Sequence, residues 1–361
     1  MTNRGASKQA MERAGRRQLL ARWCHRTGML PLLRRMRLGS RDDVRVLAYH
    51  RVLETAEPEG FSFDTDLISA SAQAFHDQMA YLKKHFVPMR FTEMLDQLAR
   101  GQRVPKGAVL VTFDDGYDDN YRVAFPILRD LGMSAMFFVS TGHIDSGRPY
   151  AYDWLVHMVC STAADRLIAP ELQLDWTLGR TLAERRVQAS ELLDRLKSLD
   201  DDGQSALINR LETEWNMPRA HGHDHCRPMT WDQLREMRRA GMEVGSHGVH
   251  HRMLAKLSPE RMSAEVHGSK ATLERELGAP IDVLSYPVGG PDAFDAETVD
   301  AVRAAGFRMA CSYVAGTGAV QATTLYSLPR LPVERQMDRE WFEAMVSVPE
   351  VFSYTSRLRT G

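Results

Sequence analysis

Two short clusters in this 361-residue chain combine residue types that can hold a cation and move a proton. Asp114 and Asp115 stand side by side after an apolar run, Val109 to Phe113, and are followed by Gly116 and Tyr117. Adjacent carboxylates at a strand end are costly to bury unless a positive charge compensates them, and a metal ion would do so. The same Asp-Gly pair also makes an ordinary solvated turn. The second cluster, Ser246-His247-Gly248-Val249-His250-His251, follows another β-rich run, Met242 to Ser246. His247 and His251 are four residues apart, so one helical turn would bring both imidazoles within reach of one ion. Asp115, His247 and His251 together would supply three N/O ligands and leave a position for water, the arrangement of a catalytic zinc site.

Strand and helix patterns alternate around these clusters. Val44–Tyr49, Val109–Phe113, Ala135–Val139, Met242–Ser246, Val283–Tyr286 and Met309–Ser312 read as short buried strands. Phe75, Met79 and Leu82, then Met94, Leu95 and Leu98, carry helical spacing. Helices are also expected at Tyr121–Leu131, Trp231–Arg239 with Thr230 as N-cap, Pro259–Leu277 and Ala296–Ala305. Such alternation predicts a parallel sheet, open or closed, with its site at the strand ends. About a hundred residues between Ala135 and Met242 break the rhythm; Leu192, Leu193, Leu196 and Leu199 mark one helix there, and Leu207, Leu211 and Trp215 another.

A composition of 43% hydrophobic and 26% charged residues excludes a mostly disordered chain. Four scattered cysteines without a CxxC pair write neither a disulfide framework nor a thiolate zinc finger. The net charge of −1 conceals an asymmetry: residues 1–41 hold eleven Lys or Arg against the single acid Glu12, leaving the remainder strongly acidic. The basic character belongs to an appendage, which argues against a nucleic-acid-binding surface. Within the arm, Leu19, Leu20, Trp23 and Cys24 form an apolar helical stripe opposite Arg16, Arg17, Arg22 and Arg26. That pattern suits a helix lying on an anionic membrane surface and equally a helix docked on its own domain. Basic residues interrupt any secretory apolar core, so a cytoplasmic location is expected, with the arm as a candidate anchor on the inner face of a membrane.

Thr112-Phe113-Asp114-Asp115-Gly116-Tyr117 and His247-Gly248-Val249-His250-His251 resemble the first two motifs of the polysaccharide deacetylases, carbohydrate esterase family four. The resemblance extends to Tyr49-His50-Arg51-Val52, shared with members that have a Tyr-His start, and to Thr230-Trp231-Asp232-Gln233-Leu234. It continues through Ser285-Tyr286-Pro287-Val288-Gly289 and the late strand Leu328-Pro329-Arg330-Leu331-Pro332-Val333. It implies an α/β fold, a distorted, incomplete (β/α) barrel, here carrying a helical insertion and a basic helical arm. The organisation it suggests is an arm at 1–41, a deacetylase domain at 42–335 with an insertion at about 146–228, and a C-terminal helix and tail at 336–361.

The resemblance also implies roles. Asp115, His247 and His251 would bind one divalent ion, zinc foremost, with cobalt, nickel or manganese as substitutes. Asp114 would act as general base on a water activated by that ion, which attacks the acetamide of an N-acetylated glycan or lipid-linked sugar. The oxyanion and substrate would meet a backbone N–H near Tyr117 and the Tyr286-Pro287 segment.

Several positions depart from the family pattern. His250 is an additional imidazole beside the expected ligands, and Tyr286-Pro287 occupies the place of an Arg-containing third motif. The late Leu-x-His that often supplies the general acid is missing; Leu155-Val156-His157 has the pattern in the wrong part of the chain. His50 is the candidate acid in its place, and Arg330 the residue that would tune Asp114. His221-Gly222-His223-Asp224-His225-Cys226 resembles a metal tract only by composition and is expected to be a solvated loop. Two alternatives share the fold: a catalytically weak glycan-binding or scaffold protein, and an O-acetyl esterase.

Overall fold

Ala108–Phe113 carries six apolar or β-branched residues without polar alternation, the signature of a strand buried on both faces. All six are buried in the computed structural model, which describes residues 3–354 apart from 59, 322 and 323. Seven such strands build the centre: β1 (Arg45–Tyr49), β2 (Ala108–Phe113), β3 (Met136–Val139), β4 (Glu243–Ser246), β5 (Val283–Ser285), β6 (Met309–Ala315) and β7 (Leu328–Pro332). Their order is β1-β7-β6-β5-β4-β3-β2, and β2 returns to β1, so the sheet closes. Every pairing is parallel, with Tyr49 beside Phe113, Phe137 beside Val244, Leu284 beside Ser246 and Leu47 beside Leu331. The ring is a (β/α) barrel one strand short of the usual eight, as the resemblance implied. Parallel strands place all their C-terminal ends at one mouth. His50, Asp114, His247 and Tyr286 each follow a strand there.

Two helices precede the barrel, α1 (Asn3–Arg26) and α2 (Met29–Ser40), with Gly28 in the left-handed conformation (φ 68°) at the turn between them. Ala21, Cys24 and Leu30 are buried and join the same core as Leu47, Phe113 and Leu331. Gln18 Nε2 and Arg22 Nε donate to Asp338 Oδ2 at 2.8 and 2.9 Å. Of the stripe read from the sequence, only Cys24 docks. Small Ala21 and Cys24 permit close approach, while Leu19, Leu20 and Trp23 point outward.

The insertion contains α3 (Ala151–Ser161), α4 (Leu182–Leu196) and α5 (Asp201–Glu214). Thr181 caps α4 in a reciprocal capping box with Glu184, and Asp200 caps α5. Between α3 and α4 lies an antiparallel hairpin, Arg166–Ala169 with Leu174–Thr177, which the helical reading missed. Its first strand alternates exposed Arg166 and Ile168 with buried Leu167 and Ala169, a two-residue period too short to stand out in sequence. These elements share a second core around Leu155, Leu192, Leu207 and Leu211 that also takes in Phe61, Phe63 and Tyr117.

Near the end of the chain, α6 (Pro259–Leu277) and α7 (Arg339–Ser347) pack outside the barrel, and Trp341, Phe342, Met345 and Val346 of α7 belong to the main core. Residues 355–361 of the expected tail lie outside the described residues. Among the described residues no helix is long and apolar enough to cross a membrane, and all four cysteines are free.

Candidate active site and metal centre

The turn after β2 carries the two carboxylates in different directions. Asp114 is still extended from the strand, its N–H donating to Tyr49 O at 2.9 Å. Asp115 then takes a left-handed conformation (φ 73°), uncommon outside glycine, and Gly116 continues it. The Tyr150 hydroxyl, from the start of the insertion, donates to the Asp115 carbonyl and holds the bend. Gly116 has no room for a side chain, because a Cβ there would lie 2.7 Å from Val139 Cγ1.

His247 follows β4, with its N–H bonded to Val139 O at 2.9 Å. Its Nδ1 lies 2.7 Å from Ser285 O; a carbonyl only accepts, so Nδ1 bears the proton and Nε2 presents its lone pair. His251 reaches the same point through a second left-handed residue position (φ 58°). The loop between them is tied down by buried Glu265, whose Oε2 accepts the N–H groups of Val249 and His250 at 2.8 and 2.9 Å. Glu265 Oε1 takes His250 Nδ1 at 2.7 Å and turns that ring into solvent. His250 is therefore not a ligand candidate.

Asp115 Oδ1 lies 3.4 Å from His247 Nε2 and 3.3 Å from His251 Nε2. The three groups form a cluster whose donor atoms all lie within 4.8 Å of one another, the only one of its kind among the described residues. Asp115 Oδ1 is buried without a hydrogen-bond partner. An orphaned anionic oxygen facing two imidazole nitrogens, one of them fixed as an acceptor, fits a divalent cation with mixed N/O preference.

Beside this cluster, Asp114 is gripped by a fork. Arg330 Nη1 donates to Oδ1 and Nη2 to Oδ2, both at 2.7 Å, and both side chains are buried. The guanidinium is itself held by Ser312 O, Thr112 Oγ1 and Ser285 Oγ. Burial pushes the Asp114 carboxyl up; Arg330, and less strongly His247, pull it below its ordinary value. The carboxylate that Arg330 meets is Asp114, the one the family resemblance assigns to it.

The remaining candidates distribute around the mouth. The buried His50 ring stands edge-on to Tyr313, centroids 5.3 Å apart, and helps to depress both Asp114 and Asp115. Around Tyr117 the ladder bonds run from Asp118 N to Arg227 O and from Met229 N to Gly116 O, so the Tyr117 amide is not drawn into them. Its phenol donates to Asp153 Oδ2 of α3 at 3.3 Å, and Arg51 stacks over the ring. Tyr286 turns away: its hydroxyl donates to Tyr326 O and its ring stacks on Phe294, so packing occupies the side chain. Pro287 lies against Gly248 at the edge of the histidine loop. Val288 beside it is a third left-handed non-glycine position (φ 62°) at this mouth.

His157, His223 and His225 lie away from this cluster. His157 stacks on Phe63 in the insertion core, and its Nδ1 pairs with Ser62. His223 and His225 pack against one another, and His223 Nδ1 accepts the His225 N–H. Reading residues alone missed Tyr150, Ser285 as the His247 acceptor, Glu265 and Tyr313. Ser285 stood inside a quoted motif, whereas Tyr150 and Glu265 lie in segments with no motif to mark them.

Residues 101–310 match the polysaccharide deacetylase family model. YxkH of Bacillus subtilis (strain 168), whose name groups it with the polysaccharide deacetylases, is 22% identical over 249 residues, 69% of this chain and 60% of its own length. The poly-β-1,6-N-acetyl-D-glucosamine N-deacetylase of Escherichia coli (strain K12) is 30% identical over 84 residues, 23% of this chain and 12% of the enzyme. The chain thus spans less than two thirds of either relative. Among solved structures, the Streptococcus pyogenes deacetylase PplD superposes with a TM-score of 0.54 at 18% identity, covering 86% of this chain and 99% of PplD. IcaB from Ammonifex degensii gives 0.52 at 19% identity, over 85% and 97% of the two chains. These two likenesses establish the shared fold.

Proposed function

The chain belongs to the polysaccharide deacetylase family, and we propose that it removes N-acetyl groups from an N-acetylated glycan or lipid-linked sugar by metal-dependent hydrolysis. The convergence of Asp115, His247 and His251 beside the Arg330-paired Asp114 carries this reading. The E. coli relative's activity on poly-β-1,6-N-acetyl-D-glucosamine favours an amide of an amino sugar over an ester.

Asp115, His247 and His251 would hold one divalent ion, zinc foremost and cobalt, nickel or manganese as alternatives. When bound, such an ion acidifies a water and polarises the acyl oxygen. Asp114 takes the proton of the attacking water. Its pairing with Arg330 keeps it ionised and fixes its direction, at the cost of some basicity. The Tyr117 N–H, left out of the local ladder, would donate to the oxyanion. His50 would return a proton to the departing amine, standing in for the acid that the family usually supplies later in the chain. Pro287 and the Tyr286 backbone form part of the substrate wall.

The proposed setting is the cytoplasm, at the inner face of a membrane where lipid-linked sugars are met and where residues 1–41 provide basic charge. The test is acetate release from N-acetylhexosamine oligomers, lipid-linked glycans and an O-acetylated sugar, with and without chelator. Release from an N-acetyl substrate, lost with chelator and restored by zinc, is expected. Release from the ester alone would make the protein an esterase, and release from none would favour the binding-protein alternative.

A further inference from the structure

Eleven large apolar side chains are exposed among the described residues, and six of them, Leu19, Leu20, Trp23, Met29, Leu32 and Met36, fall within the arm. Their placement is ordered. At 100° per residue, Leu19 and Trp23 lie opposite the docked Ala21 and Cys24 on α1, and Leu32 and Met36 lie opposite the docked Leu30 and Arg37 on α2. Leu19, Trp23, Leu32 and Met36 are 66%, 53%, 60% and 63% exposed, although each helix has a buried side that could have accommodated them. The two helices touch one another and α7, so they form one hairpin with an inner and an outer surface.

Charge divides the same way. Inward Arg37 is neutralised by Asp43 and Glu350, border Arg22 by Asp338, and inward Arg34 donates to the Tyr81 hydroxyl. Arg16, Arg26 and Arg35 are exposed on the outer side, Arg16 and Arg26 flanking Leu19 and Trp23 rather than opposing them as the sequence pattern suggested, and among the described residues no ion pair engages them. An acidic soluble partner would answer these arginines and leave the apolar ridge wet. An apolar protein groove would do the reverse. An anionic bilayer surface answers both, taking Trp and Leu into the headgroup boundary while its phosphates meet the arginines.

We propose that the outer face of the α1–α2 hairpin binds the surface of an anionic phospholipid bilayer, lying in the headgroup plane while the inner face stays docked on the barrel. This sharpens the membrane setting suggested above and stands independently of the reaction, since it concerns a face built by other residues.

Cosedimentation of the full chain with vesicles tests it. The wild-type chain should pellet with phosphatidylglycerol–phosphatidylcholine vesicles and remain in solution with phosphatidylcholine alone. Each of Arg16→Gln, Arg26→Gln and Arg35→Gln should weaken partition about fivefold. The combined Leu19→Ser, Trp23→Ser, Leu32→Ser, Met36→Ser variant should lose binding while keeping its thermal midpoint and any acetate release. Should that variant fold poorly, Trp23→Phe gives a second readout: the blue shift of tryptophan emission on adding anionic vesicles should disappear. Wild-type chain left in the supernatant, serine-variant binding equal to wild type, or a lipid-free dimer that the serine variant dissolves would each overturn the proposal.

Discussion

Arg330 and Asp114 come from strands on either side of β1, and their side chains meet in a two-bond fork, each N–H···O contact 2.7 Å long. The fork sits next to the cluster of Asp115, His247 and His251, so adjacent aspartates in one turn have opposite surroundings: a guanidinium for the first, imidazoles for the second.

Breaking the fork from one side leaves a buried charge without its partner. Arg330→Met should destabilise the fold by about 3–5 kcal/mol, whereas Arg330→Met combined with Asp114→Asn should recover part of that loss. Denaturant unfolding of wild type, Arg330→Met, Asp114→Asn and the double variant measures the coupling. Arg330→Lys, which keeps the charge but not the planar fork, should lower acetate release by roughly 100-fold or more.

The two adjacent histidines should separate cleanly. His251→Ala removes a donor from the cluster and should abolish stoichiometric zinc binding. His250→Ala removes only a ring that faces Glu265 and solvent, and should keep the metal. Metal analysis after dialysis distinguishes them; equal loss in both would reassign the ligand.

Tyr150→Phe deletes the hydroxyl that holds the Asp115 carbonyl while leaving the ring against His251. Loss of such a supporting bond typically costs 10- to 100-fold in metal affinity. Competitive zinc titration should show a weakening at the lower end of that range, with the thermal midpoint of the metal-free protein little changed.

The acidity of Asp64 makes stability pH-dependent at a distance from the metal cluster. Burial, with Asp66 nearby, pushes this carboxyl up to about 7. A carboxyl raised on folding contributes stability that is present below its unfolded value near 3.9 and lost as pH rises through about 7. Asp64→Asn keeps an oxygen to accept the Asp66 N–H and removes the charge. It should therefore stabilise by about 2 kcal/mol at pH 8, allowing for partial solvent exposure, and by little at pH 4. Unfolding curves at the two pH values decide it.

Much of this architecture could be read in advance. Buried strands such as Val109–Phe113 and Met242–Ser246 declare themselves as apolar runs, and Asp114, Asp115, His247 and His251 directly follow them. What escaped depends on contacts made across the fold. The Arg330–Asp114 pair, 216 residues apart, is suggested by the family resemblance alone, because spacing does not show that barrel closure makes them neighbours. Tyr150 supports the Asp115 turn from a segment with no pattern of its own. In the arm, the apolar stripe of Leu19, Leu20, Trp23 and Cys24 docks only through Cys24, joined by small Ala21, and its large members stay outside. Tyr286, which the resemblance places at the substrate, spends its hydroxyl on Tyr326 O, a contact that no motif marks.

The account rests on a division of labour between neighbouring aspartates, and metal content and acetate release measured side by side on wild-type, Asp114→Asn and Asp115→Asn chains test it most directly. Asp114→Asn should retain the ion at the wild-type level and release no acetate, while Asp115→Asn should lose both. Loss of the ion from Asp114→Asn, or wild-type metal binding by Asp115→Asn, would contradict it.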